Sequence, residues 1–363
     1  MTQVFKQAAS SSATLPPIGC NGRGAQDSSM DKPVSMQEAS IEEQFRLVKR
    51  TGDFDSFDRL PQPAQLDEYQ RCIQKFDLPV RTTSWFYELG TDDELIARNL
   101  LLTAQVGAKL HNLMIYARLA DGSHASNEQI VDCYLRTYDA AMAVGVEPTF
   151  ELHVNMWSED PRRVTPVAEA VQRRGVPFNF TLDYSHVIFK IGNPEEQDVS
   201  GMREDVEAGR VVLDPFEPGN LCDEWLRMGI VKWLQVRSVV PNGPRDIWAK
   251  FDPEATVAAL PRFPSLPVKP GDPGRGILYP FTRPAPGEWH SPWHAYQLEP
   301  CKEVVRKVLA HHAATPGSRL AAITTEMITL PDYALNARFS LIGQNAAIAR
   351  FVRQEWRARE SLG

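Results

Sequence analysis

Apolar and polar positions along this chain alternate between two periods. Segments 80–87 (VRTTSWFY), 149–155, 178–183, 231–239 and 319–327 read as short strands, as do KLHNLMIY, ending at Tyr116, and 44–49 (QFRLVK). Between them, apolar residues three and four apart predict helices over 66–76, 162–174, 219–228, 297–313 and 340–358. Two further helices open on capping-box spacings, Thr91 with Glu94 and Ser126 with Gln129, and run through Ala104 and to about Val144. Strands alternating with helices of this length imply βαβ units and a parallel sheet. Seven strands stand out; an eighth would be irregular or lie within 240–296, or a barrel built from them would be atypical.

Two stretches lack either period. Residues 1–40 carry a serine run followed by Pro16, Pro17, Gly19, Gly22 and Gly24, and read as a flexible tail. Residues 240–296 are rich in proline and too long for an ordinary connector, and read as an insertion capping one end of the sheet. The domain expected is therefore 41–360, interrupted by that insertion.

The strands carry chemistry on one face. Thr149, Glu151, His153 and Asn155 alternate with Phe150, Leu152, Val154 and Met156; Asn179, Thr181 and Asp183 with Phe178, Phe180 and Leu182. Gln235 and Arg237 share a face of 231–239, and Thr324 and Glu326 share one of 319–327. A buried parallel strand should be apolar on both faces, so polar faces must point into something wet, such as a barrel mouth. Glu151, Asp183, Gln235 and Glu326 form an all-oxygen set suited to Mn²⁺ or Mg²⁺. His186 stands three residues past Asp183, where it could ligate, transfer protons or bind substrate.

Composition narrows the picture. Thirty-nine basic against 46 acidic residues give a charge of −7, which argues against a duplex-binding surface. The five cysteines are scattered without a CxxC pair, so a disulfide framework or thiolate zinc site is not expected and a reducing cytoplasm is. No run reaches membrane-span length, a secretory signal is not expected, and neither a phosphate-binding glycine loop nor a GxSxG elbow is present. His290 and His294 have HxxxH spacing, but Pro292 lies between them and disfavours a helical zinc pair; Trp289 and Trp293 are instead candidate sugar-binding surfaces.

With Glu151, Asp183-x-x-His186, Gln235 and the Glu326 of ITTEMI in place, the chain over 42–358 resembles the xylose isomerase-like TIM-barrel superfamily. That group includes sugar and sugar-phosphate isomerases and epimerases, dehydratases and the AP endonuclease family. The resemblance implies a (β/α)8 barrel holding a divalent metal through Glu151, Asp183, Gln235 and Glu326. Gln235 stands where many members have histidine, and Arg237 or Arg245 would be the arginine that follows the third ligand. Glu151, Glu326 and His186 would be catalytic; His153, Arg237, Trp289 and Trp293 would bind substrate. The closing segment TTEMITLPDYALNARFSLIGQNAAIARFVR also resembles larger members acting on oxidised sugars or 3-oxo-glycosides.

The activity so implied is metal-dependent sugar or sugar-phosphate isomerisation or epimerisation, through proton abstraction beside a carbonyl and a metal-stabilised enediolate. A lyase or dehydratase acting on an oxidised sugar or 3-oxo-glycoside is the alternative. An AP endonuclease-like hydrolase fits poorly with the acidic charge and with only His153 and His186 at strand ends; a non-catalytic sugar-binding barrel would bind no metal. The partner expected is a small carbohydrate, not nucleic acid or membrane, with a homo-oligomer or partner subunit left open.

Overall fold

The computed structural model describes residues 13–252, 254 and 269–360. The expectations for 1–12 and for the middle of the proline-rich insertion lie outside the described residues. Eight parallel strands close into a barrel: β1 (Ile18–Asn21), β2 (Ser56–Asp58), β3 (Val80–Tyr87), β4 (Leu110–Ile115), β5 (Glu147–Glu151), β6 (Phe180–Leu182), β7 (Val231–Val236) and β8 (Ala322–Thr325). Closure comes where Ile18, Gly19 and Cys20 of β1 pair with Ile323, Thr324 and Thr325 of β8.

Two sequence expectations are corrected here. The first is the tail. Residues 18–21 are the first barrel strand, all buried, and 29–40 pack back against the domain, with Val34 N–H donating to the Ala337 carbonyl at 2.9 Å. Gly19 is there because the barrel wall is tight: a Cβ would come within 2.8 Å of Ser56 Oγ. The second is 44–49, which lies in a helix, Ile41–Thr51, capped by Ser40 Oγ accepting from Glu43 N–H. Its buried residues, Ile41, Gln44, Phe45, Leu47 and Val48, follow helical spacing. Phe45 and Leu47 sit two apart, and a six-residue window mistakes that spacing for a strand.

The remaining strands and helices fall close to where the periodicity puts them. The Ser126–Gln129 capping box is formed, at the start of the helix Asn127–Ala143. The helix Asp93–Gln105 begins with Asp92, not Thr91, at its N-cap. Helix-facing side chains such as Phe150 pack on Tyr134 and Phe178, whereas the inward set is polar. Inside the barrel Trp233 packs with Leu110 and Ala322, and its indole donates to Thr324 Oγ1 at 2.9 Å. Thr181 and Thr149 hydroxyls meet at 2.7 Å, and Thr149 donates to Asn112 at 3.2 Å. Polar groups bonded to one another in this way form a floor beneath the C-terminal mouth. No helix among the described residues is long and apolar enough to cross a membrane.

The insertion folds over the segment after β8. Tyr279 N–H donates to the Ser238 carbonyl at 2.8 Å, Ile277 N–H to the Asp332 carbonyl at 3.2 Å, and Arg275 N–H to Asp332 Oδ1 at 2.9 Å. Gly274 lies against Pro331, whose carbonyl oxygen would be 1.9 Å from any Cβ.

Candidate functional site

The ends of β5, β6, β7 and β8 deliver the main groups to the mouth. Glu151 closes β5; its Oε2 accepts from Asn112 Nδ2, itself fixed by Thr149, while its Oε1 is buried with no hydrogen-bond partner. Asp183 follows β6. Its Oδ1 accepts from Ser185 N–H and hydroxyl, which starts the short helix Ser185–Ile188 and brings His186 back so that Nε2 lies 3.2 Å from Asp183 Oδ2. Glu326 follows β8, and its Oε1 accepts from Asn21 Nδ2 at 3.1 Å. Arg237 follows β7. Its Nη2 donates to Asp183 Oδ2 at 2.8 Å and to Glu326 Oε2 at 2.9 Å.

Oxygen atoms of Glu151, Asp183 and Glu326 lie within 4.8 Å of one another, and all three residues are buried. Glu151, His153 and His186 make a second such group. The two imidazole centroids are 4.3 Å apart; His153 Nδ1 is 2.6 Å from the Val154 carbonyl, and its Nε2 is 3.1 Å from the Tyr333 hydroxyl.

Burial sets the charges. It pushes Glu151 well above the usual carboxylate range, helped by Glu326 and Asp183. It carries Glu326 up to about 7 against the pull of Arg237. Asp183 goes the other way: burial opposes its charge, but Arg237 and His186 hold it below the usual range. Burial also lowers His186 to about 4, against the pull of Asp183, and lowers His153 with help from His186 and Arg237. Both imidazoles are therefore neutral near pH 7. A fourth carboxyl, Asp58 at the end of β2, is pushed up by burial and by Glu326.

These residues suit a divalent cation. Fully ionised, three carboxylates against one guanidinium would leave −2, and like charge in a buried site is costly, so Glu151 and Glu326 tend to hold protons that a cation would displace. Each carboxylate oxygen has two acceptor positions, so the hydrogen bonds from Arg237, Asn21 and Asn112 leave room for a cation. Gln235 faces the same side of β7 as Arg237, and neither atom of its buried amide has a hydrogen-bond partner among the described residues. A buried amide left so is expensive unless it serves a ligand.

No protein-family model matches the chain, and no curated protein matches it by sequence. Solved structures do match by shape. A xylose isomerase-like TIM barrel protein from Mycobacterium smegmatis, in complex with magnesium, is 12% identical over 94% of this chain and 98% of its own, with a TM-score of 0.50. D-psicose 3-epimerase from Clostridium cellulolyticum H10, with D-tagatose, is 11% identical over 94% and 99%, with a TM-score of 0.52. D-allulose 3-epimerase from Methylomonas sp., in complex with D-allulose, is 11% identical over 95% and 99%, with a TM-score of 0.51. The chain has the xylose isomerase-like TIM-barrel fold.

Within that fold the structure brings together Glu151, His153, Asp183, His186, Arg237 and Glu326, with Gln235 on the same inward side. It does not bring Trp289 and Trp293 to the cleft that opens onto Glu326 and His153. Trp289 is 7% exposed, its ring enclosed by Trp248, Tyr279, His290 and Phe339, and Trp293 donates its indole N–H to the Pro280 carbonyl. Trp289 holds the insertion together, because an aromatic face covered by protein has none left for a sugar ring; Trp293 is half-buried and does not line that cleft. Arg245, the other arginine candidate, pairs instead with Glu195 at 3.4 Å.

Four residues of the site escaped the sequence reading: Asn21, Asp58, Asn112 and Tyr333. Asn112 follows His111 in KLHNLMIY, so adjacent polar residues face both sides of a mostly apolar strand, which is a usable signal. Asn21 ends IGCN, set among Pro and Gly, and Asp58 ends SFD, set among aspartates, so no alternation stands out around either. In the segments past the strand ends, Arg275 of the insertion donates to Glu159 at 2.7 Å and to Glu196 at 3.1 Å, and Lys190 lies 3.5 Å from Glu159. This buried network ties the segments after β5, β6 and β8, which carry His153, His186 and Tyr333.

Proposed function

We propose that the chain is a divalent-metal-dependent isomerase or epimerase of a sugar or sugar phosphate. The observation that carries this reading is the buried cluster of Glu151, Asp183 and Glu326 around the Arg237 guanidinium, which has two negative charges in excess once its carboxyls are ionised. Glu151, Asp183, Gln235 and Glu326 would hold the ion. Bound there, Mn²⁺ or Mg²⁺ would supply a Lewis acid for the carbonyl and hydroxyl oxygens of the substrate. The magnesium in the Mycobacterium smegmatis protein and the ketoses bound by the two epimerases support the same choice of ion and substrate class.

The residues divide the work by position. Glu151 and Glu326 come from β5 and β8, on either side of Asp183 and Arg237, so a substrate between them presents one face to each. The carboxylate on one face takes a proton from carbon, and the carboxyl on the other returns one. Arg237, with Nε and Nη1 unpartnered, and His186, neutral beside Asp183, are placed to hydrogen-bond substrate oxygens.

The test is metal analysis of the purified protein followed by incubation of ketoses and ketose phosphates with Mn²⁺ in D₂O. Solvent deuterium on carbon is expected. Transfer of hydrogen without solvent exchange would rule out this proton chemistry, and loss of a β-substituent would move the reaction to a lyase.

A further inference from the structure

Two arginines not used above stand at the mouth of the same cleft. Arg23 lies in the turn Gly22–Gly24 that follows β1, and Arg59 follows Asp58 at the end of β2. The cleft, narrow at about 40 Å³, runs from Glu326, Asp58 and His153 to these two side chains. Both also line a wider hollow of about 600 Å³ on the outer side, which contains Glu38 and Glu68. The guanidinium groups therefore stand between an inner and an outer opening.

Their direct pairing is shared. Glu38 accepts from Arg59 Nη2 at 2.7 and 2.9 Å and lies 3.6 Å from Arg23 Nη1, so one carboxylate pairs with two cations, while Asp58, Glu326 and Glu68 line the same openings. The Arg23 and Arg59 side chains are only 16% and 21% exposed, so water screens their like charge poorly. Arg23 shows the strain: burial first, then Arg59, lowers it to about 10 despite Glu38.

The turn is built to hold this arrangement. A Cβ on Gly22 would meet the Phe57 ring at 2.7 Å, and one on Gly24 would meet Asn345 and the Met327 carbonyl at 2.4 Å. Asn21 Oδ1 accepts from Arg23 N–H at 3.0 Å, while Asn21 Nδ2 donates to Glu326. One clamped turn thus fixes both a group at the inner carboxylates and a cation at the mouth.

We infer that Arg23 and Arg59 bind an anionic oxygen group, a phosphate ester or a carboxylate, at the end of an open-chain sugar whose carbonyl end lies at Glu151 and Glu326. This rests on the isomerase reading of the inner site. Guanidinium forks match phosphate and carboxylate oxygens in shape, and the incoming charge relieves the like-charge contact that Glu38 only half relieves. A neutral ketose would leave that contact as it stands.

The experiment is calorimetric titration of the full chain with D-xylulose, D-xylulose 5-phosphate and D-fructuronate at low and high salt. At least one charged probe should bind tenfold or more tightly than D-xylulose, by a margin that shrinks with salt. Arg23→Gln and Arg59→Gln should each remove most of the margin, Arg23→Lys and Arg59→Lys should keep part of it, and Arg46→Gln, on a surface helix, should keep all of it. A preference for the ester identifies a sugar phosphate, and one for the acid a sugar carboxylate. Equal binding of charged and neutral probes overturns the inference, as does a preference that survives the folded double glutamine or double lysine variant at full strength. Binding is read without turnover, so an intact charge preference with no proton exchange counts against the isomerase reading alone. Exchange on neutral ketoses without a preference counts against the arginine site alone.

Discussion

The guanidinium carbon of Arg237 lies 3.9 Å from the centroid of the Tyr333 ring. A cation so close to a buried aromatic face is attracted by the ring and held against it. The contact matters here, because Nη2 of the same guanidinium reaches Asp183 and Glu326 together. The hydroxyl of the same tyrosine reaches His153, so one ring orients a cation on its face and an imidazole at its edge. The loop carrying Tyr333 is held in turn by Asp332, which accepts from Arg275.

Separating these two roles is straightforward. Tyr333→Phe keeps the stack and loses only the contact with His153, whereas Tyr333→Leu loses both. Turnover should fall modestly in the first variant and by about a hundredfold or more in the second, since misplacing a catalytic group by an ångström costs on that order. Arg237→Met should be worse than either, because it leaves three buried carboxylates with no cation; breaking a buried pair this way costs about 3–5 kcal/mol of stability. Steady-state kinetics and urea unfolding check the series, and equal kinetics in the two tyrosine variants would show that the stack does not position Arg237.

Adding the ion should stabilise the fold. At a hundred times its dissociation constant, a ligand of the native state contributes about 2.7 kcal/mol, which a melting curve with and without Mn²⁺ will show. Glu326→Gln should lose most of that gain. Gln235→Leu gives a sharper test, because it acts in opposite directions in the two states. The ion-free protein should become more stable, since an unsatisfied buried amide costs about 1–3 kcal/mol, and the gain from Mn²⁺ should shrink. A gain left unchanged would remove Gln235 from the ligand set.

The sequence shows most clearly the parts of this site that sit in segments with visible alternation. Thr149 and Glu151 point inward and Phe150 outward, as their period of two requires, and Asp183, Gln235, Arg237 and Glu326 follow the same rule. β1 and β2 are no shorter than β8 and β6; they were hidden because the Pro and Gly around β1 look like a tail and the polar residues around Phe57 leave β2 no apolar alternation. What those glycines record is close packing of backbone against Ser56, Phe57 and Asn345, which composition does not reveal. Arg275 was hidden for another reason: Glu159 lies 116 positions away in the chain, and only the closed barrel brings the two together.

The insertion makes a contrasting prediction. Trp289 is enclosed by four rings, so Trp289→Ala should act as a core cavity and cost about 3–5 kcal/mol of stability. Any effect on KM should be small once the comparison is made well below the melting temperature of the variant. A raised KM with unchanged stability would return Trp289 to the substrate site.

Acid sensitivity should come in part from a residue outside the cleft. His111 on β4 sits in a closed ring of hydrogen bonds whose donors can be assigned. Asn99 Nδ2 donates to the Tyr87 oxygen at 2.9 Å, so the Tyr87 O–H points at His111 Nε2, 2.6 Å away. His111 Nδ1–H then donates to Thr83 Oγ1 at 2.7 Å, Thr83 to Thr103 at 2.7 Å, and Thr103 to the Asn99 carbonyl at 2.8 Å. A second proton on the imidazole would break the ring at Tyr87, and burial already lowers His111 to about 3. The unfolded chain takes up that proton near pH 6.5, so the contribution is complete above that pH and is lost as pH falls from about 6.5 toward 3, at roughly 1.4 kcal/mol per unit. Urea unfolding at pH 7 and pH 5 should therefore show a drop of which about 2 kcal/mol belongs to this residue. His111→Gln should be less stable at pH 7 yet lose about 2 kcal/mol less between the two pH values. The same loss in both proteins would mean that His111 is not held neutral by this ring.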